Sequence, residues 1–316
     1  MTKELKGVYA VKHKSESVRT HSRSGGIFTA LSDKVLEDNG VVYGCILVNN
    51  TKAVHFRAKN KEQRNKMRGS KYIQSDLGDI FKSVKKDLDN DVYVLFSGTS
   101  CQIAGLKNFL NKNYVNLICV DIVCHGVPSP LIWEKYVKWQ EEKNKSLVTE
   151  IDFRNKEKFG WRAHVETLKM ENGKTVNSDV FTMLFYKHNI LRPSCYKCPF
   201  KNIHHPSDIT IADYWGIENV APEFDDNKGV SLVLVNTDKG LSLFDEVKNH
   251  ILWKETKIEN SMQDPLRFPF PKPSTRDEFW NDFQNKDFDS FLYKYCDIGL
   301  SGIFKKIKRK IRKLVN

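Results

Sequence analysis

The run Val92-Tyr93-Val94-Leu95-Phe96 is apolar at successive positions, and Gly98-Thr99-Ser100-Cys101 follows it like a turn. Such a run reads as a strand buried on both faces. Helical spacing then extends from Gln102 to Leu110. A second apolar run, Asn116 to Val123, leads into Cys124-His125-Gly126-Val127-Pro128, and a helix is expected from about Pro130 to Glu142. Strand, helix, strand and helix in succession imply a parallel sheet with right-handed crossovers. The turns that leave consecutive parallel strands open on one edge of the sheet, where ligands gather. Cys101 and Cys124, far apart in sequence, are therefore expected at a common crevice.

Upstream, Ile27, Leu31, Val35 and Leu36 share a helical face, with Ser24 as candidate N-cap and Gly40 closing the segment. A strand is expected from Val41 to Val48. A polar, mainly helical stretch from 61 to 90 is interrupted by Arg68-Gly69-Ser70-Lys71-Tyr72. Residues 162–178 suggest a hairpin turning at Glu171-Asn172-Gly173, followed by a helix near 180–190. Further strands are expected at Asp208 to Asp213 and at Val230 to Val235, and the proline-rich stretch 261–276 reads as an extended connector. The expected fold class is α/β: a mixed, partly parallel sheet with flanking helices, plus a smaller cysteine-containing α+β portion.

Neither a signal peptide nor an apolar run long enough to span a membrane is visible, so a cytoplasmic location is expected. Seven cysteines in a reducing compartment point to metal or redox chemistry rather than to disulfides. Cys45, Cys119 and Cys296 lie in apolar runs and are expected to be small buried hydrophobes. The other four border turns. Cys195-Tyr196-Lys197-Cys198-Pro199 offers two thiols able to grip one metal or one cluster corner, and Cys101 and Cys124 are the natural completion. Four thiolates suit a [4Fe–4S] cluster or a structural zinc, and unligated thiols are the bland alternative. Spacing alone leaves all three open.

Ser22-Arg23-Ser24-Gly25-Gly26 sets small residues and a cation at a helix N-terminus, where unpaired N–H groups favour a phosphate. Gly98, Thr99 and Ser100 repeat that arrangement before Gln102, and Arg68, Ser70, Lys71 and Tyr72 add two cations and a ring. Together they suggest a nucleotide or flavin phosphate site. His125 is a candidate proton donor or cluster neighbour, and Asp213 either orients a cofactor or caps a turn. His204 and His205 are expected at the surface, because adjacent histidines rarely face one ion.

These segments resemble the beta-subunit family of coenzyme F420 hydrogenases and dehydrogenases. The resemblance rests on residues 22–28, on Gly69-Ser70-Lys71-Tyr72-Ile73-Gln74-Ser75 and on the stretch from Phe96 to Leu106. It continues through Cys124-His125-Gly126-Val127-Pro128-Ser129, residues 192–199 and residues 207–216. It implies a bound flavin, FAD or FMN, beside a [4Fe–4S] cluster, and adds Gln74 to the flavin-contacting candidates. By matching positions and sheet geometry, the cluster ligands are expected to be Cys101, Cys124, Cys195 and Cys198. The implied division is a flavin-phosphate region over 1–90, a cluster and flavin region over 91–260, and a connector with a basic tail over 261–316. Many relatives carry a cysteine-rich ferredoxin-like segment before the serine–glycine loop, which this sequence reaches almost at once. Its electrons are accordingly expected from a separate carrier, either a protein such as ferredoxin or flavodoxin or a reduced flavin or deazaflavin.

Lysine and arginine number 51 against 39 acidic residues, a net charge of +12. An acidic ferredoxin or flavodoxin would be steered to such a chain. Much of the excess lies between 305 and 313, where Ile303, Phe304, Ile307, Ile311 and Leu314 share one helical face. That spacing over 303–314 fits a basic amphipathic helix in peripheral contact with an anionic membrane. No recognised nucleic-acid motif accompanies the charge. Two function classes follow. One is a flavo-iron–sulfur oxidoreductase acting on a small-molecule or sugar-linked substrate, as in cell-surface polysaccharide assembly. The other is a non-catalytic, membrane-recruited scaffold stapled by zinc or a cluster.

Overall fold

The structure is a computed structural model that describes residues 4–296 and Ile298. The basic helix expected over 303–314 lies outside the described residues. The strands are β1 Gly7–His13, β2 Val41–Val48, β3 Lys52–Ala58, β4 Val94–Thr99, β5 Leu117–Ile122 and β6 Val148–Asp152. They continue with β7 Glu166–Met170, β8 Thr175–Ser178, β9 Ile209–Asp213, β10 Ser231–Val235 and β11 Ile251–Glu255. The longer helices are α1 Ile27–Glu37, α2 Ile80–Asp89, α3 Ser100–Leu110 and α4 Pro130–Asn144. After them come α5 Val180–Tyr186, α6 Asp238–Val247, α7 Arg276–Asn285 and α8 Phe288–Tyr295.

The main sheet runs β11-β1-β10-β9-β5-β4-β2-β3. Its centre, β2, β4, β5 and β9, is parallel, and the strands outside it pair antiparallel. The class is the mixed α/β sheet that the alternating pattern implies. β4 and β5 are apolar at consecutive positions because both faces are covered. Leu31 and Val35 of α1 and Phe244 and Val247 of α6 close one face over Val42, Leu95 and Val233. Val84 and Leu88 of α2, with Ile103 and Leu106 of α3, close the other over Tyr43, Phe96 and Cys119. The small antiparallel sheet β6-β7-β8 includes the expected hairpin.

Residues 276–295, for which the sequence pattern offers no element, form α7 and α8. Phe288, Phe291, Leu292 and Tyr295 recur at helical spacing and pack with Phe279, Trp133 and Phe181 in an aromatic core. A second difference lies at the start of α1. The N-cap is Gly26, in the left-handed conformation at φ 92°, and Ser24 instead donates its hydroxyl to the Val230 carbonyl at 2.6 Å. The cause is the preceding residue. Gly25 is wedged between β1 and β10, so that a Cβ there would stand 2.1 Å from the Val11 oxygen. Among the described residues no helix is long and apolar enough to cross a membrane.

Candidate functional site

The parallel core delivers two cysteines to one edge. β4 passes directly into α3 without an intervening turn, which places Cys101 in the first turn of the helix. Thr99 and Gln102 close that helix as a capping box, the Gln102 Oε1 accepting from Thr99 N at 2.9 Å. The Thr99 hydroxyl lies 3.1 Å from Cys101 Sγ. β5 runs alongside in register, Thr99 opposite Ile122, so its exit brings Cys124 to the same end.

The other two cysteines arrive on a 3-10 turn, Pro193–Lys197. That turn is sewn to the segment after β5: Arg192 N donates to the Val127 carbonyl at 2.8 Å, and Val127 N donates to Cys195 Sγ at 3.5 Å. Burial pushes the Cys124 thiol up to about 12, and Cys195 and Cys101 add to the effect. Burial also raises Cys195, with Cys198 and Cys101 contributing. Four thiols from three distant segments therefore share one electrostatic neighbourhood. Among the described residues no three His, Cys, Asp or Glu side chains converge on a point that would hold a single metal ion. Cys101 is exposed, and the other three are half-buried.

A cavity of about 740 Å³ adjoins this corner, a size typical of ligand pockets. Its wall includes the expected Ser22, Ser24, Gly26, Arg68, Ser70, Lys71, Tyr72, Gln74, Gly98, Thr99, Gln102, Cys101, Cys124, His125 and Asp213. Gly25 and Ser100 do not reach it. The Gly25 N–H is taken by Ser231 Oγ at 2.9 Å, and the Ser100 hydroxyl lies 3.2 Å from His205 Nδ1 inside the protein. Cys45 is half-buried, packing against the core on one side and lining the cavity on the other, whereas Cys119 and Cys296 are buried as expected. His205, expected at the surface, is buried on Asp121 at 2.8 Å, while His204 is exposed.

The cations of the wall differ in their commitments. Lys71 donates to the carbonyls of Lys66, Arg68 and Gly69 at 2.9–3.1 Å, bracing its own loop. Gln102 Nε2 ties that loop to α3 through Ser75 Oγ at 2.8 Å. By contrast, the buried Nε of Arg68 and of Arg23 have no hydrogen-bond partner. Unsatisfied buried donors are uncommon in folded proteins, and both side chains are part of the cavity wall.

Asp213 is already engaged. It accepts from Arg154 Nη1 at 3.0 Å and from the Trp161 indole at 2.7 Å, with Arg23 Nε at 4.0 Å. Its carboxylate thus fixes two arginines and a tryptophan. His125 shares a 2.8 Å Nε2–Nε2 contact with His188 and packs on Phe270 at 4.3 Å. Burial pushes its imidazole down to about 3, so it stays neutral at ordinary pH. Rings continue along the wall: His125 to Tyr186 at 5.2 Å, Tyr186 to His164 at 5.2 Å, and His164 to Trp215 at 6.0 Å.

Sequence reading missed Arg154, His164, Tyr186 and His188, which come from segments outside the parallel core, and Trp215, just after β9. It also missed Lys201. This lysine is buried, and its Nζ donates to the carbonyls of Cys124 and, at 2.9 Å, His125.

Residues 92–261 match the family model for the C-terminal part of the coenzyme F420 hydrogenase/dehydrogenase beta subunit. Residues 8–82 match the companion model for the N-terminal part of the same beta subunit. The fold is similar to a chain of the F420-reducing [NiFe] hydrogenase complex from Methanosarcina barkeri, with a TM-score of 0.56 and 17% identity. That alignment covers 81% of this chain and 83% of the other. No curated protein matches the chain.

Proposed function

The chain belongs to the coenzyme F420 hydrogenase/dehydrogenase beta-subunit family, an oxidoreductase family whose membership implies iron–sulfur and flavin cofactors, and we propose that it is an electron-transferring flavo-iron–sulfur oxidoreductase. The observation that supports this reading is that Cys101 and Cys124 line one large cavity while Cys195 and Cys198, on the turn sewn to the segment after β5, lie in the same electrostatic neighbourhood. Four thiolates suit a [4Fe–4S] cluster, and the family favours that group over a structural zinc. The flavin also fits the residues present. Arg68 lines the cavity and supplies a cation for an anionic phosphate, and the N-terminus of α1 opens on the same space. When bound, the cluster handles single electrons and the flavin pairs them.

The chain's own residues hold the site. Lys71 and Gln102 keep the 68–75 loop against α3, and Asp213 keeps Arg154 in the wall and ties it to the buried Trp161. Phe270, Tyr186 and Trp215 add ring surface to the wall. Cys101 is the exposed member of the four, so an acidic carrier would approach a net-basic protein at that corner.

Anaerobic purification tests the reading. The expected protein is brown-yellow, with about four irons and one flavin per chain, and Cys198→Ser should lose the iron. Colourless protein, or protein holding zinc alone, would sink the redox reading and favour the stapled scaffold.

A further inference from the structure

Buried cations in this protein normally meet a carboxylate. Arg19 and Lys12 face Asp226, Arg64 faces Asp33, and Arg154 faces Asp213. Lys156 has no such contact but lies in the field of Asp213 and Asp226. Lys201 is different. Among the described residues no carboxylate lies within ion-pair distance of it, and its electrostatic neighbours are the sulfurs of Cys124, Cys198 and Cys195. Its Nζ is anchored on the carbonyls of Cys124 and His125, and it lies 5.0 Å from the centre of the Phe270 ring. A buried ammonium without a counter-charge is costly, so a fold that keeps one there implies an anion that compensates it.

We propose that Lys201 is the fixed counter-charge of the four-cysteine corner and raises the reduction potential of the cluster bound there; this rests on the corner being a cluster site. The charge balance is direct. Four thiolates make a ligated cluster net anionic, and a one-electron reductant adds one further negative charge without a proton. The attraction to a fixed ammonium is therefore stronger in the reduced state, which favours reduction. Lys201 touches neither substrate nor flavin in this scheme; it is a positioning residue acting through charge.

The test uses the full-length protein, purified or reconstituted anaerobically and titrated with dithionite while the cluster is followed by electron paramagnetic resonance. Lys201→Gln removes the charge and keeps hydrogen-bond donors, whereas Lys201→Arg keeps the charge. The expected result is a clearly more negative midpoint potential for Lys201→Gln and a value close to wild type for Lys201→Arg. If Lys201→Gln folds, by circular dichroism, but holds no iron while Lys201→Arg does, the counter-charge role is equally supported. An unshifted potential in Lys201→Gln, or damage by Lys201→Arg equal to that by Lys201→Gln, would overturn it. Wild-type protein that holds no cluster at all would instead remove the underlying reading.

Discussion

Among the described residues no cation pairs with the buried carboxyl of Glu166. It sits on β7 at 1% exposure, with Oε1 accepting from Tyr136 Oη at 3.1 Å and Phe181 N at 2.9 Å. Oε2 accepts from Thr182 Oγ1 at 3.1 Å. These bonds hold the start of α5, whose far end carries Phe185 and Tyr186 into the cavity wall. Burial outweighs the hydrogen bonds and lifts the carboxyl from 4.5 to about 7. A raised acid stabilises the folded state only while both forms are protonated. Below pH 4.5 Glu166 carries no penalty; as pH rises toward 7 the unfolded chain gives up its proton first, and stability falls. The full difference is about 3 kcal/mol, of which roughly 2.5 kcal/mol is lost between about pH 5 and pH 8. Glu166→Gln keeps the shape and cannot ionise, and Thr182 can rotate its hydroxyl to accept the new amide. Urea unfolding of both proteins across that range should show the variant gaining about 2.5 kcal/mol on wild type as pH rises, while other titrations cancel in the comparison. Parallel stability curves, or a gap that widens toward acid, would refute the assignment.

Two further outcomes follow from the cavity and the loop beside it. Arg68→Gln should weaken flavin binding roughly ten- to a hundredfold, the worth of one charge-assisted hydrogen bond, read by fluorescence quenching as flavin is titrated into stripped protein. Unchanged affinity would remove Arg68 from the phosphate site. Gly25→Ala should destabilise the fold by about 3 kcal/mol in chemical denaturation, because the new methyl would meet backbone atoms of Val11 and Ser231 that cannot rotate away. A stability near wild type would show that β1 and β10 can part locally.

The parallel core and its cysteines were legible for a topological reason. β4 and β5 announce burial on both faces, and strand–helix succession alone places their exits at one edge, so Cys101 and Cys124 could be paired before any coordinates. What local pattern could not supply was contact across distant segments. Lys201 looks like any surface lysine until the chain after β5 is laid beside it, and Arg154 gains meaning only once β9 presents Asp213. His205 shows that such gaps have a readable signal. Asp121 lies within the apolar run Leu117-Ile118-Cys119-Val120-Asp121-Ile122, and an acid in the middle of a doubly covered strand must find donors. β5 pairs with β9 so that Asp121 stands opposite Thr210, and the donors come from just before that strand: His205 at 2.8 Å and Ser207 at 2.7 Å. A buried-strand carboxylate therefore predicts that some later polar segment docks on it, and the two adjacent histidines divide accordingly, His205 inward to Asp121 and His204 to solvent.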